Sequence, residues 1–92
     1  MTIRKITILG RDNHGEAMRV AAGLTIYGHE VRIVFMNKPV SETDENAKQA
    51  ELLELADIIP ETTVSDMTDA LPFLDSATLA QVINESDHII NI

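Results

Sequence analysis

The sequence contains no cysteine, and that absence removes several kinds of chemistry. Without thiols there are no disulfides, no thiolate ligands for a metal and no cysteine nucleophile. The chain also lacks any apolar run near the ~20 residues that a transmembrane helix requires, and it begins without the apolar segment of a signal peptide. We therefore expect a soluble, cytoplasmic protein that does not enter a membrane.

Positive charge is scarce in the second half of the chain. Residues 41–92 carry twelve acids and a single base, Lys48, whereas residues 1–40 carry six bases and three acids. The formal net charge of −8 argues against nucleic acid as a direct partner, because phosphate contacts require a basic surface. Two interpretations of the asymmetry are open. Either the acidic surface is simply solvated, or the basic half of one subunit meets the acidic half of another.

Length and composition favour one folded unit. Ninety-two residues suffice for a single core, and a hydrophobic content of 45% excludes a disordered acidic tail. No repeat, linker or low-complexity segment divides the chain. We therefore treat residues 1–92 as a single domain.

The clearest pattern lies at residues 28–40. Gly28 is suited to the left-handed conformation that ends a helix, the apolar run 30–36 follows it, and Pro39 lies in the polar turn that closes the stretch. This order is typical of a buried parallel strand that a helix precedes and a loop follows.

The segments before this strand predict a β-α pair. An Ile-rich strand is expected at 3–9 and a helix at 14–27. Asn13 and Glu16 have the spacing of a capping box at the start of that helix.

The middle of the chain predicts a second helix and a third strand. The helix begins at Ser41–Asp44, and Leu52 and Leu55 are expected to widen the apolar face that Leu53 marks. The third strand is predicted at Asp57–Pro60, where the proline removes a hydrogen-bond donor and ends it.

Residues 61–75 allow several interpretations. Thr62–Val64 could extend a strand, Asp66–Ala70 could form one helical turn, and Leu71–Leu74 could form a short fourth strand. A third helix is then predicted after the cap at Asp75 and a final strand at 88–92. The alternation predicts an α/β fold with a mostly parallel sheet of four or five strands and helices on both faces.

Two stretches resemble the DsrE-like (DsrE/DsrF/DsrH) family of small sulfur-relay proteins. One is the Ala-rich helix end at 21–27 followed by Gly28-His29-Glu30-Val31 and an apolar strand, and the other is the closing helix and strand at 77–92. The resemblance implies a flavodoxin-like, three-layer α/β/α fold. It also implies assembly into trimers or hexamers, and sulfur carried as a persulfide on a cysteine in the loop after the third strand.

In this chain the corresponding loop falls near Pro60–Thr63 and has no cysteine. The resemblance therefore implies a member that cannot carry sulfur in this way. We expect a non-catalytic structural or regulatory subunit, or a small-anion-binding module, linked to sulfur metabolism. A homo-oligomer (dimer, trimer or hexamer) is expected, with sulfur-relay proteins as possible partners.

The carboxyl ends of the strands are where a doubly wound sheet binds ligands, so the candidate site lies in the loops that follow them. The ligand-binding candidates in those loops are Arg11, Asn13, His14, Gly15, Asn37, Lys38, Glu61 and Thr62. Arg11 and Asn13 at a helix start, with Lys38 beside them, suit an anion such as phosphate or sulfate. Gly10–Gly15 lacks the Lys-Ser/Thr of a P-loop, and an ordinary capped turn is the alternative.

The three histidines do not predict a metal centre. His14 follows a strand, whereas His29 and His88 precede strands, so they lie at opposite edges of the sheet. No metal and no cofactor is expected. His14 is the one weak catalytic candidate, and a small enzyme that uses it is an alternative function, as is a pure oligomerisation or interaction module.

Overall fold

Four parallel strands form one sheet in the order β3-β2-β1-β4. The computed structural model describes residues 3–68 and 71–92. The strands are β1 Lys5–Gly10, β2 Glu30–Phe35, β3 Glu61–Thr62 and β4 His88–Asn91. The helices are α1 His14–Ile26, α2 Asp44–Leu55 and α3 Ser76–Glu85. The predicted flavodoxin-like α/β fold with a parallel sheet is confirmed, with four strands.

The core forms two layers, one on each face of β1 and β2. Ile8 and Ile33 are fully buried on one face, where α1 and α2 cover them. Leu9 and Val34 are buried on the other face, under Leu79 of α3. The carboxyl-terminal halves of both central strands are therefore covered on both sides, which explains the apolar runs Ile8–Leu9 and Ile33–Phe35.

Each of the three α-helices in the described ranges follows a residue whose side chain caps its first turn. The oxygens of Asn13, Thr43 and Asp75 accept hydrogen bonds from the backbone amides of Glu16, Asn46 and Thr78 at 3.1, 3.1 and 2.7 Å. At the end of α1, Gly28 has a φ of 89°, a left-handed conformation that a side chain disfavours. The predicted helix boundaries at Asn13, Gly28 and Asp75 are confirmed.

The prediction of the third strand at Asp57–Pro60 is wrong. Asp57 has a φ of 59°, and the amide of Ile58 donates to the carbonyl of Leu53 at 2.9 Å, so both residues complete the end of α2. The strand begins after Pro60 instead, and consists of Glu61 and Thr62, which pair with Val34 and Phe35 of β2.

The predicted fourth strand at Leu71–Leu74 is reduced to one bridge. Phe73 pairs with Thr62, through bonds of 3.0 Å to the carbonyl of Pro72 and 2.8 Å from the amide of Leu74. A 3₁₀ turn at Ser65–Met67 occupies part of the predicted turn Asp66–Ala70, whose residues 69 and 70 lie outside the described residues.

The apolar face of α2 is narrower than predicted. Leu53 is buried, but Leu52 is 43% exposed and Leu55 is 82% exposed. This helix packs mainly against α1 and buries Leu53 alone, so the two outer leucines have no core to enter.

Candidate functional site

The loop after β1 is held by bonds within the chain. The guanidinium Nε of Arg11 donates to Asn91 Oδ1 at 2.9 Å, and the backbone amides of Asp12 and Asn13 donate to the carbonyl of Ile92 at 3.2 and 3.3 Å. The side chain of Asn13 caps α1. The groups proposed to bind an anion are thus engaged in joining the β1–α1 turn to the end of β4.

His14 is buried and acts as a structural link. Its Nε2 lies 3.3 Å from the carbonyl oxygen of Met36 and donates to it, since a carbonyl only accepts. Its ring meets Phe35 edge-on, with centroids 5.2 Å apart. With 5% of its surface exposed, His14 joins the start of α1 to the end of β2 and does not present its ring to a solvent-side substrate.

The next two candidates form the turn after β2. Asn37 has a φ of 72°, and the amide of Lys38 donates to the carbonyl of Met36 at 2.8 Å. Both side chains are exposed. They lie next to the carbonyl that His14 binds, so the structure brings these three candidates to one place.

Glu61 and Thr62 point to opposite faces of the sheet, and Thr62 lies at the same end of β2 as His14. Glu61 forms a two-bond ion pair with Arg32 of β2 at 2.8 and 3.0 Å, on the face of the sheet that α3 covers. Hydrogen bonding to Glu61 raises the pKa of Arg32 above its already high ordinary value. Thr62 points to the other face and is fully buried.

The hydroxyl of Thr62 serves the backbone. It donates to the carbonyl of Phe35 at 3.1 Å and accepts from the amide of Val64 at 2.9 Å. This arrangement holds the turn after β3 against the end of β2, which leaves the hydroxyl no role as a nucleophile in the described structure.

A groove that no sequence pattern predicted lies at the same edge of the sheet. It has a volume of about 520 Å³, and it opens where α1, the start of α2 and the turn after β3 meet. Its apolar walls include Met18, Phe35, Val40, Ala47, Ala50 and Met67. A groove of this size and lining at the carboxyl edge of a parallel sheet has the usual character and place of a small-molecule site.

The rim of the groove is acidic. It is formed by Ser41–Asp44, which carries the carboxylates of Glu42 and Asp44, and none of the described residues that line the groove is Lys, Arg or His. The N-terminus of α2 contributes only about half a positive charge, so the two carboxylates dominate. The groove therefore favours a neutral or positively charged ligand over an anion.

One sequence signal could have indicated this groove. Ala47 and Ala50 lie three residues apart on α2, and both are small and exposed although they continue the row of Leu53. Small side chains on the core side of a helix leave space above a sheet. The turn that closes the other wall falls in residues 61–75, where the sequence pattern was ambiguous.

Neither the metal-binding groups nor the helices of the described residues suggest another class of site. Within residues 3–68 and 71–92, no three His, Cys, Asp or Glu side chains are arranged to hold a metal ion. His29 lies at the opposite edge of the sheet from His14, where its Nδ1 accepts from the amide of Arg4 at 3.1 Å. None of the helices in the described ranges has the length and apolarity of a membrane span.

Comparison with known proteins adds no relative. No protein-family model, curated protein or solved structure matches the chain. The DsrE-like resemblance therefore stays a prediction.

Proposed function

We propose that this protein is a non-catalytic binding module that takes a small, mainly apolar ligand in the groove at the carboxyl edge of its sheet. The observation that carries the proposal is the groove itself, which is about 520 Å³ in volume and lined by apolar side chains from α1, α2 and β2. Pockets of roughly 300–1,000 Å³ with apolar walls are typical of small-molecule sites.

The polar groups around the groove support binding and not turnover. His14 lies behind Phe35 and donates to a backbone carbonyl, and Thr62 makes two backbone hydrogen bonds. Neither is paired with a second group in the way that general-base or nucleophilic catalysis requires. An enzyme that uses His14 would first have to expose its ring.

The ligand class follows from the charge of the rim. Glu42 and Asp44 repel a carboxylate or phosphate and attract an amine. We therefore expect an apolar body with a neutral or cationic head. A small anion at Gly10–Gly15 is less well supported, because anion binding by Arg11 would compete with its bond to Asn91.

This proposal is compatible with the DsrE-like resemblance and narrows it. A DsrE-like protein without the sulfur-carrying cysteine would retain the scaffold, and the loop edge would bind a ligand in place of persulfide chemistry. The link to sulfur metabolism, the sulfur-relay partners and the homo-oligomeric state remain proposals that rest on the resemblance alone.

A dye-binding experiment tests the groove. Nile red, a neutral apolar dye, is titrated with the wild-type protein and with Ala50→Phe, which places an aromatic ring in the groove from an exposed position. We expect the affinity of the variant for the dye to fall at least about tenfold, a loss of about 1.4 kcal/mol or more in binding free energy.

The matched control is Ala77→Phe, the same substitution at an exposed position of α3 on the other side of the sheet. This variant should bind the dye like the wild type. If Ala50→Phe and the wild type bind the dye equally, and circular dichroism shows that both are folded, the proposed site is contradicted.

A further inference from the structure

Four large apolar side chains are exposed near the ends of α1 and α2. Ile26 and Leu55 are each 82% exposed, Tyr27 is 67% exposed and Leu52 is 43% exposed. The core contact of this part of α2 is made by Leu53, so these side chains contribute nothing to the interior. We call these four residues the α1–α2 patch.

Two members of the patch, Ile26 and Leu52, face one seam, because α1 and α2 lie side by side and run in the same direction. At the helix starts, a Cβ on Gly15 would lie 2.8 Å from Asn46 Oδ1, and further along Arg19 and Gln49 line one polar pocket. Residues three or four positions apart lie on the same side of a helix. Ala22 and Ile26 are therefore on the same side of α1 as Arg19, and Leu52 is on the same side of α2 as Gln49. Ile26 and Leu52 therefore flank the same seam.

The size of the patch exceeds what isolated surface residues usually present. Four large, mostly exposed side chains amount to on the order of 500 Å², the range in which an apolar patch on a monomer is often functional. A seam between two parallel helices with apolar side chains on both sides has the form of a groove that accepts a third helix.

The charges at the end of α2 are mainly acidic. Glu51, Glu54 and Asp57 are exposed there, and Lys48 lies one turn earlier. On α1, Arg19 is paired with Glu16, and Arg4 is an exposed base at the amino edge of the sheet. A second copy of the chain would bring a further net charge of −8 to this surface. Like charges across an interface oppose association, whereas a basic partner is both attracted and guided into register.

We infer that the α1–α2 patch is a docking surface for a basic amphipathic helix of a partner protein. The apolar face of that helix lies along the seam between Ile26 and Leu52. Its Lys or Arg side chains reach the carboxylates of α2, and Tyr27 offers an aromatic face to one of them. This surface lies at the amino edge of the sheet, away from the carboxyl-edge groove, so the inference does not depend on the proposed ligand.

A peptide-binding experiment tests the inference. The probe is a fluorescein-labelled amphipathic helix built of Leu and Lys, and its counterpart carries Glu in place of every Lys. Binding is measured by fluorescence anisotropy for the wild type, for Leu55→Gln and for Ile26→Gln. Both positions are exposed, so neither substitution disturbs the core.

The control variant is Phe73→Gln, which removes an apolar side chain that is 49% exposed at the opposite edge of the sheet. We expect the Lys peptide to bind at least about tenfold more tightly than the Glu peptide. Each patch variant should weaken it about tenfold, and Phe73→Gln less than about twofold.

Three results would overturn the inference. The first is equal binding of the Lys and Glu peptides, and the second is an equal loss of binding in Leu55→Gln and Phe73→Gln. The third is a dimer in sedimentation equilibrium that Leu55→Gln dissociates, which would assign the patch to a second copy of this chain.

Discussion

His14 and Phe35 meet edge-on at 5.2 Å, and the same histidine donates from Nε2 to the carbonyl of Met36, the residue after Phe35. One side chain thus fixes the start of α1 to the end of β2. Phe35 is also a wall of the carboxyl-edge groove. The histidine that the sequence indicated as a catalytic candidate therefore packs against Phe35, a wall of the binding groove.

Replacing His14 with alanine is expected to destabilise the fold. The substitution removes a buried ring contact and a hydrogen bond, and we expect the free energy of unfolding to fall by about 2 kcal/mol. Urea unfolding followed by circular dichroism measures the change. His88→Ala, at an exposed position, is the control and should stay within about 0.5 kcal/mol of the wild type. Equal stability of the two variants would show that His14 is not a structural link.

Thr62→Val tests how the turn after β3 is held. Valine keeps the shape of the side chain but leaves the amide of Val64 without its 2.9 Å partner, whereas the carbonyl of Phe35 still accepts from the amide of Thr63. We expect a loss of about 1–3 kcal/mol in the free energy of unfolding, mainly from the unpaired amide.

Two variants give this result its contrast. Thr62→Ser keeps the hydroxyl and should lose about 1 kcal/mol, for one buried methyl group. Thr63→Val keeps the backbone amide that donates to the carbonyl of Phe35, so the free energy of unfolding should hardly change. A neutral Thr62→Val would mean that the turn is not held by this hydroxyl.

The cap of α3 predicts a pH dependence of stability. Hydrogen bonds from Thr78 lower the pKa of Asp75 below its ordinary value. Because the folded pKa is depressed, the stabilisation is fully present above the unfolded pKa of about 3.9 and is lost as the pH falls through the folded value.

Asp75→Asn separates the charge from the cap. Asparagine is also a good N-cap, so the variant should lack the part of the acid-induced loss that comes from Asp75. Comparing urea midpoints at neutral pH and at about pH 3 measures this difference. An identical decrease in the two proteins would contradict the lowered pKa.

The acidic rim predicts a preference among ligands that share a ten-carbon chain and differ in the polar head group. Decylamine should compete with Nile red for the groove more strongly than decanol, and decanoate should compete least, because Glu42 and Asp44 lie at the rim. Glu42→Gln should reduce the advantage of decylamine by about threefold, since an exposed charge pair contributes up to about 1 kcal/mol.

Glu85→Gln is the control for this series, because Glu85 lies at the end of α3 and leaves the rim unchanged. A stronger competition by decanoate than by decylamine would contradict the ligand class, although it would leave the groove as a binding site.

Local signals predicted the central part of the fold. Asn13, Gly28 and Asp75 mark helix ends by mechanisms that act within a few residues, and the apolar carboxyl-terminal halves of β1 and β2 reflect burial on both faces. These features need no knowledge of the rest of the chain, and the sequence indicated each of them.

Features that depend on distant contacts were not predictable in the same way. Asp57 and Ile58 lie in a segment whose isoleucines favour a strand, but they complete the end of α2. The two-residue β3 therefore forms only after Pro60, where it pairs with Phe35. Leu52 and Leu55 fit a helical apolar pattern, yet they have no opposing surface. The groove depends on the same distant packing, since its walls come from α1, α2, β2 and the turn after β3.

The most direct test of the central claim is a map of the residues that a ligand contacts. Protein labelled with nitrogen-15 is titrated with decylamine, and the shifts of the backbone amide signals are followed by NMR. We predict that the largest shifts occur at Phe35, at Val40–Ala50 and at Met67, around the carboxyl-edge groove. Shifts confined to the opposite edge of the sheet, or spread evenly over the acidic surface, would contradict the claim that this groove is the ligand site.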